Sequence, residues 1–225
     1  VAYTPERLRA EKGFDVKILH RVEEIDLVTR QITVRDLGRR ERFAVGYDKL
    51  ILATGSTPRR LEREGEDTRN VFHLSSRQDT LGILGCLERD APRQAVIVGG
   101  GFIGMEMAEA LTARGLEVTI IHRHRLPMGG LEPEMRERIL EELLRNKVRF
   151  ITNAVVEGLS VDAANRVRHL LTNRGSFDAD IVLLAIGVQP NTELARSAKL
   201  RLGQSGGIVT DERQQTSADD VYAAG

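Results

Sequence analysis

The chain has 225 residues, which is enough for one large domain or two smaller ones built around a substantial core. Its 33 Lys and Arg residues balance 33 Asp and Glu residues and Trp is absent, so no nucleic-acid partner is expected. No apolar run approaches the roughly 18 residues of a membrane span, and the single cysteine excludes an internal disulfide, so we expect a cytoplasmic protein without a membrane partner.

The N-terminal part is predicted to be β structure followed by a linker. Residues 15–27 and 31–36 form two β-like runs joined by a short polar turn. The sequence YDKLILATGS then predicts a strand from about Asp48 to Ala53 that opens into a glycine turn. Residues 57–70 are polar and rich in turn-forming residues, which predicts a linker.

From residue 75 the pattern changes to an alternation of helices and strands. Residues 75–89 predict a helix, and the strand AVIV follows it. Further helices are predicted over 102–114 and 133–146, separated by the strand EVTII and followed by the strand VRFI. This alternation is typical of a parallel sheet with crossover helices, so the predicted fold class is α/β with a Rossmann-like βαβ domain.

The C-terminal part is predicted to be mainly β structure. Residues 154–161 and 166–172 predict an antiparallel pair, and DADIVLLAIG predicts a continuous buried strand. Residues 199–225 predict short β runs ending in VYAAG. Because the sequence stops directly after this apolar pattern, whereas domain ends usually lie at the surface, we expect an internal piece of a longer protein.

The segment VIVGGGFIGMEMAEAL contains the pattern G-x-G-x-x-G at Gly99, Gly101 and Gly104. A strand precedes it and a helix follows it, as a dinucleotide-binding fingerprint requires. Gly99 would permit the tight turn, Gly101 the approach of a pyrophosphate, and Gly104 the close packing of helix on strand. The N–H groups and positive dipole end of the helix would then hold the phosphates. The sequence predicts a dinucleotide site, and the alternative is a glycine-rich turn that binds nothing.

The residues after the strand EVTII bear on which dinucleotide is bound. A free ribose 2′-hydroxyl is usually bound by an acidic residue at this strand end, whereas here His122 is followed by Arg123, His124 and Arg125. Guanidinium groups bind a 2′-phosphate through charge-assisted hydrogen bonds. The prediction is therefore NADPH rather than NADH, and the alternative is a solvated basic turn.

No side chain in the sequence is predicted to act as a catalytic acid, base or nucleophile. Glu106 is expected in the first turn of the helix, where the dipole favours an acid and a bound nicotinamide would lie nearby. Cys86 falls outside any matching motif and is predicted to be structural. The histidines lack metal-ligand spacing, so no metal is expected.

Three segments occur in a characteristic order: ILATGS at 51–56, the glycine segment, and LLAIGVQPN through VYAAG at 183–225. Together they resemble the pyridine nucleotide-disulfide oxidoreductase family. The N-terminal segment and VTIIHR are similar to the branch that contains coenzyme A disulfide reductases and NADH oxidases. The resemblance implies an NAD(P)H-binding domain, residues 73–188, inserted in an FAD-binding domain of which 1–72 and 189–225 are parts.

The resemblance also implies cofactors, partners and binding residues. It implies FAD as a second cofactor, a small-molecule or small-protein electron acceptor, and a homodimeric parent protein. The positions matched to FAD are Val22, Ala53, Thr54 and Gly55. The positions matched to NAD(P)H, beyond the three glycines, are Phe102, Ile103, Glu106, His122, Arg123, Arg125 and Gly187. The family's first glycine motif and its redox cysteine are not within these 225 residues.

The favoured function is the NAD(P)H-binding part of an FAD-dependent oxidoreductase, which transfers hydride from NAD(P)H to FAD and on to a disulfide, such as coenzyme A disulfide, or to oxygen. One alternative is a flavoprotein module that serves a ferredoxin, a rubredoxin or a nitrite reductase, and a redox cysteine upstream would exclude it. A second alternative is a non-enzymatic nucleotide-sensing module that turns over no acceptor. A domain with an unused loop would show no saturable nucleotide binding.

Overall fold

The computed structural model of the chain describes residues 4–225. Its helices are α1 (Pro5–Lys12), α2 (Arg77–Asp90), α3 (Phe102–Ala113), α4 (Pro133–Arg145) and α5 (Glu193–Ser197). Its strands are β1 (His20–Asp26), β2 (Gln31–Asp36), β3 (Arg42–Gly46), β4 (Leu50–Leu52), β5 (Ser56–Pro58), β6 (Val71–Phe72), β7 (Gln94–Val98), β8 (Glu117–Ile121), β9 (Arg149–Ile151), β10 (Val156–Val161), β11 (Val167–Thr172), β12 (Gly175–Asp178), β13 (Ile181–Leu184), β14 (Val188–Pro190) and β15 (Val221–Ala223). Within this range no helix has the length and apolar character needed to cross a membrane.

The chain divides into two compact units. The central unit is Thr57–Gln189, and the flanking unit consists of the chain up to Ser56 together with Pro190–Gly225. Residues 57–72, predicted to belong with the N-terminal part, lie in the central unit instead. The reason is that β6 is an edge strand of the central sheet, where it pairs with β13.

The central unit is built on a five-stranded sheet with the order β6-β13-β7-β8-β9, and its four neighbouring strand pairs are all parallel. The predicted alternation is confirmed, because α3 connects β7 to β8 and α4 connects β8 to β9. All four residues of β13 are buried, as expected of a parallel strand covered on both faces. The carboxyl ends of β7, β8 and β13 therefore lie at one edge of this sheet.

The two faces of the central sheet are covered by different structures. One face packs against α2 and α3 through a buried cluster that includes Ile97, Ile120, Ile181, Cys86, Ala108 and Leu111. The other face packs against the antiparallel sheet β10-β11-β12 through Val96, Val182, Leu184, Val167 and Leu170. The predicted pair of strands is confirmed as β10 and β11, but the third strand, β12, was not predicted.

The segment predicted as a linker, residues 57–70, is instead fastened into the central unit. Asn70 is fully buried, and its Nδ2 donates to the carbonyl oxygens of Val167 at 2.8 Å and Asp180 at 2.9 Å. Its Oδ1 accepts the N–H of Val167 at 2.9 Å. One amide side chain thus pairs three backbone groups next to β11 and β13. The linker interpretation was wrong because polar composition does not reveal burial.

A largely buried ion pair joins the end of α2 to the residue before β11. Nη1 of Arg166 lies 3.1 Å from Oδ1 of Asp90, and the exposed fractions of the two side chains are 14% and 8%. A hydrogen bond from Arg89, together with the charges of Arg166 and Arg89, lowers the pKa of Asp90 to about 2 despite burial. The folded state therefore binds this proton more weakly than the unfolded chain, in which an Asp pKa is about 3.9.

The Asp90 ion pair predicts a specific pH dependence of stability. Its contribution to the free energy of unfolding is fully present above about pH 4 and is lost as the pH falls from about 4 to about 2. In Asp90→Asn we expect lower stability at neutral pH and a shallower decline over that window. Urea unfolding as a function of pH measures both quantities, with the exposed Glu109→Gln as the control. Equal slopes for wild type and Asp90→Asn would contradict the prediction.

The flanking unit contains the antiparallel sheet β1-β2-β3 and the parallel pair β4-β15. Its core is formed by Ile25, Leu52, Ala195, Leu200, Val221 and Ala223. The two predicted N-terminal strands are present, although the first begins at His20 rather than near residue 15. Within residues 199–225 only β15 is a strand, and two isolated bridges replace the other predicted β runs.

Candidate functional site

The G-x-G-x-x-G segment forms the turn between β7 and α3, and each of its glycines has a distinct environment. Gly99 has φ +112°, and a Cβ there would lie 2.2 Å from the carbonyl oxygen of Ala185. A Cβ on Gly104 would lie 2.1 Å from the carbonyl oxygen of Gly99, so the helix packs directly on the turn. A Cβ on Gly101 would have no atom within 4 Å. Two glycines are therefore required by packing, while the space over Gly101 is open.

The N-terminal end of α3 presents unpaired backbone donors. Gly101 is the N-cap residue and makes no side-chain cap, and its carbonyl oxygen accepts the N–H of Met105 at 3.0 Å. Among residues 4–225, the N–H groups of Gly101, Phe102 and Ile103 have no hydrogen-bond acceptor. Such donors, together with the positive end of the helix dipole, form a binding place for phosphate oxygens.

The predicted contact residues on α3 are exposed at the same end of the helix. Phe102 is 72% exposed and Ile103 is 40% exposed, which is unusual for large apolar side chains. Glu106 is also exposed, but it is the fifth residue of α3. The expectation that Glu106 lies in the first turn was therefore wrong, because the helix begins at Phe102.

His122, expected beside the arginines at the end of β8, is turned towards the glycine loop. Its Nδ1 accepts the N–H of Gly100 at 3.0 Å. Its ring also packs on Phe150, with 5.6 Å between the ring centroids, and its Nε2 is buried without a hydrogen-bond partner. His122 thus contacts the backbone of the glycine loop, whereas the sequence pattern predicted a position at the ribose-selecting end of β8.

The surroundings of His122 favour the neutral imidazole. Its pKa is lowered, first by burial and then by electrostatic interactions with His124, Arg123 and Arg136. The backbone of Leu126 has the opposite effect and raises the pKa of His122. A neutral ring is consistent with the geometry, because only an unprotonated Nδ1 accepts a hydrogen bond.

The two predicted arginines lie exposed on the loop that follows β8. Nη2 of Arg125 is 2.8 Å from Oε1 of Glu137 on α4, and the side chains are 72% and 53% exposed. Nε of Arg123 donates to Nε2 of His124 at 3.1 Å. Exposed pairs of this kind contribute about 1 kcal/mol or less, so either guanidinium group is available to an incoming phosphate at small cost.

A further residue that the sequence analysis missed holds this loop in place. Arg136 on α4 donates from Nε to the carbonyl oxygen of Pro127 at 2.7 Å and from Nη2 to that of Leu126 at 2.9 Å. The N–H of Met128 then donates to the carbonyl oxygen of Gly100 at 2.8 Å. The one sequence feature that could have indicated this role is the positive charge of Arg136 in the first turn of a helix, where the helix dipole disfavours a cation.

Gly187 lies at the same edge of the central sheet as the glycine loop. It follows β13, has φ +94°, and accepts the N–H of Arg59 at 2.9 Å. The nearby Ala185 is the residue whose carbonyl oxygen excludes a side chain from Gly99. The predicted NAD(P)H residues thus come together from three strand ends, β7, β8 and β13.

The residues predicted to contact FAD lie in the flanking unit. The turn Ala53–Gly55 is fastened to Asn191, because Oγ1 of Thr54 donates to the Asn191 carbonyl oxygen at 2.6 Å and Nδ2 of Asn191 donates to the Thr54 carbonyl oxygen at 3.0 Å. Asn191, which the sequence analysis missed, also donates its N–H to Gly55. Val22 lies in β1, next to an irregularity in the pairing with β2.

A cavity of about 200 Å³ adjoins this turn within the flanking unit. Its walls include Thr54, Gly55, Asn191, Thr210, Gln214 and Ala224. Ligand pockets for drug-sized molecules usually have about 300–1,000 Å³. The cavity therefore fits only part of a large cofactor.

Cys86 is fully buried, and burial, reinforced by Asp90, raises the pKa of its thiol, which makes it a poor nucleophile. Within the part of the chain that the structure describes, no three His, Cys, Asp or Glu side chains come together as a metal ligand set.

The model of the pyridine nucleotide-disulphide oxidoreductase family matches residues 5–225. The chain belongs to this family. It is 37% identical over 224 residues to the NAD(P)H sulfur oxidoreductase (CoA-dependent) of Pyrococcus abyssi, covering 99% of this chain and 49% of that protein. The chain thus spans about half the length of the curated relatives it matches.

Solved structures of family members have the same fold. The reduced CoADR-RHD protein of Bacillus anthracis matches with a TM-score of 0.90 and 32% identity, covering 100% of this chain and 40% of that one. The water-forming NADH oxidase of Lactobacillus brevis, bound to NADH, matches with a TM-score of 0.89 and 28% identity, covering 99% of this chain and 49% of that one. The predicted family and α/β fold class are confirmed.

Proposed function

We propose that the protein is an FAD-dependent NAD(P)H oxidoreductase and that its central unit binds the nicotinamide dinucleotide. The observation that carries the proposal is the glycine turn, in which two glycines are required by backbone contacts and the third is open to solvent beside three unpaired N–H groups. This combination has a clear use when an anionic pyrophosphate approaches the backbone.

The residues around the turn fit the remaining parts of such a ligand. Gly101, Phe102 and Ile103 would hold the pyrophosphate through their N–H groups, and Gly187 and Glu106 would lie along the nicotinamide half. The exposed apolar side chains at the start of α3 would be covered by the bound ligand. When bound, the nicotinamide supplies a hydride that the flavin accepts, and the electrons pass on to a disulfide, such as coenzyme A disulfide, or to oxygen.

The flanking unit would supply part of the FAD site. Ala53, Thr54 and Gly55 would pass the flavin, and the backbone of Val22 would lie near the adenine. Two hydrogen bonds between Thr54 and Asn191 hold the turn, which supports a positioning role, and the adjoining cavity has room for only part of the cofactor. We further propose a cytoplasmic homodimer that reduces a small-molecule or small-protein acceptor.

We expect Arg123 to confer a preference for NADPH. In Arg123→Ala the dissociation constant for NADPH should rise at least about tenfold, because a charge-assisted hydrogen bond to the 2′-phosphate is lost. The constant for NADH, which lacks this phosphate, should change by less than about twofold. Calorimetric titration of the intact protein with both nucleotides measures the difference.

The matched control for this experiment is Arg114→Ala, at the opposite end of α3. This variant should bind both nucleotides like the wild type. Equal losses for NADPH and NADH in Arg123→Ala would show that Arg123 does not read the 2′-phosphate. Tighter binding of NADH by the wild type would overturn the NADPH preference itself.

The proposed activity is tested with the intact, flavin-loaded protein. Anaerobic addition of NADPH or NADH should bleach the flavin absorbance, and coenzyme A disulfide, polysulfide or oxygen should restore it. Restoration only by a ferredoxin or rubredoxin would support the electron-transfer alternative. Nucleotide binding without bleaching would support a nucleotide-sensing module, and absence of binding would remove the proposal.

A further inference from the structure

The central residue of the glycine loop, Gly100, is held on both sides of its backbone. Its N–H donates to Nδ1 of His122 at 3.0 Å, and its carbonyl oxygen accepts the N–H of Met128 at 2.8 Å. A Cβ on Gly100 would lie 3.1 Å from Cγ and Nδ1 of His122 and 3.2 Å from the ring of Phe150. The rings of His122 and Phe150 therefore pack directly against the backbone of the glycine loop.

We propose that His122 is a positioning residue of the nucleotide site, whose neutral imidazole accepts the Gly100 N–H and so fixes the loop with its unpaired N–H groups facing the ligand. The inference rests on the proposed nucleotide function. It assigns His122 a role in loop geometry instead of direct contact with the ribose. The neighbouring peptide groups, from Gly101 to Ile103, are the ones that the orientation of Gly100 controls.

The proposed role requires one protonation state. A neutral ring accepts at Nδ1 and carries its proton on Nε2, whereas a protonated ring would place an N–H against the N–H of Gly100. The hydrogen bond would then be replaced by a repulsive contact. Protonation of His122 is thus expected to break the contact between the glycine loop and the His122 ring and to weaken phosphate binding.

The groups facing His122 oppose this protonation. Arg123 and His124 lie on its own loop, and Arg136 faces it from α4. The glycine loop, Phe150 and residues 151–154 contribute no ionisable side chain. The pKa of His122 accordingly lies below its ordinary value of about 6.5. Because binding favours the neutral ring, affinity should be constant at neutral pH and should fall as the pH drops below this lowered pKa.

The probe for the experiment is ADP-ribose, titrated calorimetrically into the intact protein from about pH 8 to about pH 5. It carries the pyrophosphate of the dinucleotide, but it has neither the titratable 2′-phosphate of NADPH nor an acid-sensitive dihydronicotinamide. For the wild type we expect saturable binding that weakens towards low pH. A parallel imidazole ¹⁵N spectrum should show Nδ1 of His122 without a proton at neutral pH.

Three variants test separately the hydrogen-bond acceptor of His122, its aromatic ring and its electrostatic interaction with His124. His122→Asn keeps an acceptor that does not titrate, so it should bind like the wild type at neutral pH and show no decline at low pH. His122→Phe keeps the ring but lacks the acceptor, so it should bind roughly three- to tenfold more weakly at every pH. His124→Asn should keep the pH dependence with its midpoint moved to higher pH, because the electrostatic interaction by which His124 lowers the pKa of His122 is removed.

The outcomes distinguish this inference from the proposed function. Wild-type affinity in His122→Phe at neutral pH, or an unchanged low-pH decline in His122→Asn, would overturn the positioning role while the nucleotide site stands. A proton on Nδ1 at neutral pH would also overturn it. Failure of the wild type to bind ADP-ribose and NADPH at any pH would instead remove the proposed function.

Discussion

A Gly104→Ala variant is expected to lose stability and nucleotide binding together. The added methyl group would lie 2.1 Å from the carbonyl oxygen of Gly99, and neither backbone can move without separating α3 from β7. Overpacking of this kind typically costs about 1–3 kcal/mol, and a clash between two backbone segments belongs at the upper end. Urea unfolding gives the loss of stability, and calorimetry with NADPH gives the loss of binding.

The matched variant for this prediction is Gly101→Ala. Gly101 has φ −95° and open space around it, so an alanine should change the free energy of unfolding by less than about 1 kcal/mol. Its methyl group would nevertheless occupy the space over the unpaired N–H groups, so NADPH affinity should fall at least about tenfold. Normal binding in Gly101→Ala, or normal stability in Gly104→Ala, would contradict the roles assigned to these glycines.

Replacement of Asn70 by leucine is expected to be the most destabilising change in the segment 57–72. Leucine has a similar volume but leaves three buried backbone groups unpaired: the N–H and carbonyl oxygen of Val167 and the carbonyl oxygen of Asp180. Each unsatisfied buried group costs about 1–3 kcal/mol, so the total loss should be at least about 3 kcal/mol. Chemical unfolding followed by circular dichroism provides the measurement.

The control for the Asn70 variant is Asn173→Ala. The exposed Asn173 accepts the N–H of Val155 at 2.9 Å, so its backbone partner can turn to water when the side chain is removed. The loss should stay below about 1.5 kcal/mol. Comparable losses in the two variants would show that burial does not set the strength of these amide contacts.

The central sheet and its glycine turn could be predicted because local and long-range requirements coincide there. The strands β7, β8 and β13 are largely apolar and buried, and α2 begins with a capping box formed by Ser76 and Asp79. The glycines of the turn are fixed by backbone contacts, which depend only on the strand-turn-helix geometry. The glycine motif, together with the strand before it and the helix after it, was therefore sufficient to predict this turn.

The remaining features depend on contacts that the sequence pattern does not carry. Helix α1 has no apolar stripe and no buried residue, and it begins at Pro5 after the N-cap residue Thr4, whose side chain accepts the N–H of Arg7. The contacts of Asn70 are with a residue 97 positions away, and those of Arg136 depend on the path of the loop that precedes its helix. The orientation of His122 depends on which acceptor the Gly100 N–H finds, and a basic strand end gives no indication of that choice.

Hydrogen exchange tests the central claim most directly, because it reports on the N–H groups assigned to the phosphates. The amides of Gly101, Phe102 and Ile103 are unpaired and should exchange rapidly in the free protein. When the intact protein is labelled with saturating NADPH and then digested, mass spectrometry should show slower exchange in the peptide covering residues 99–106. Bound NADPH with unchanged exchange in this peptide would contradict the account.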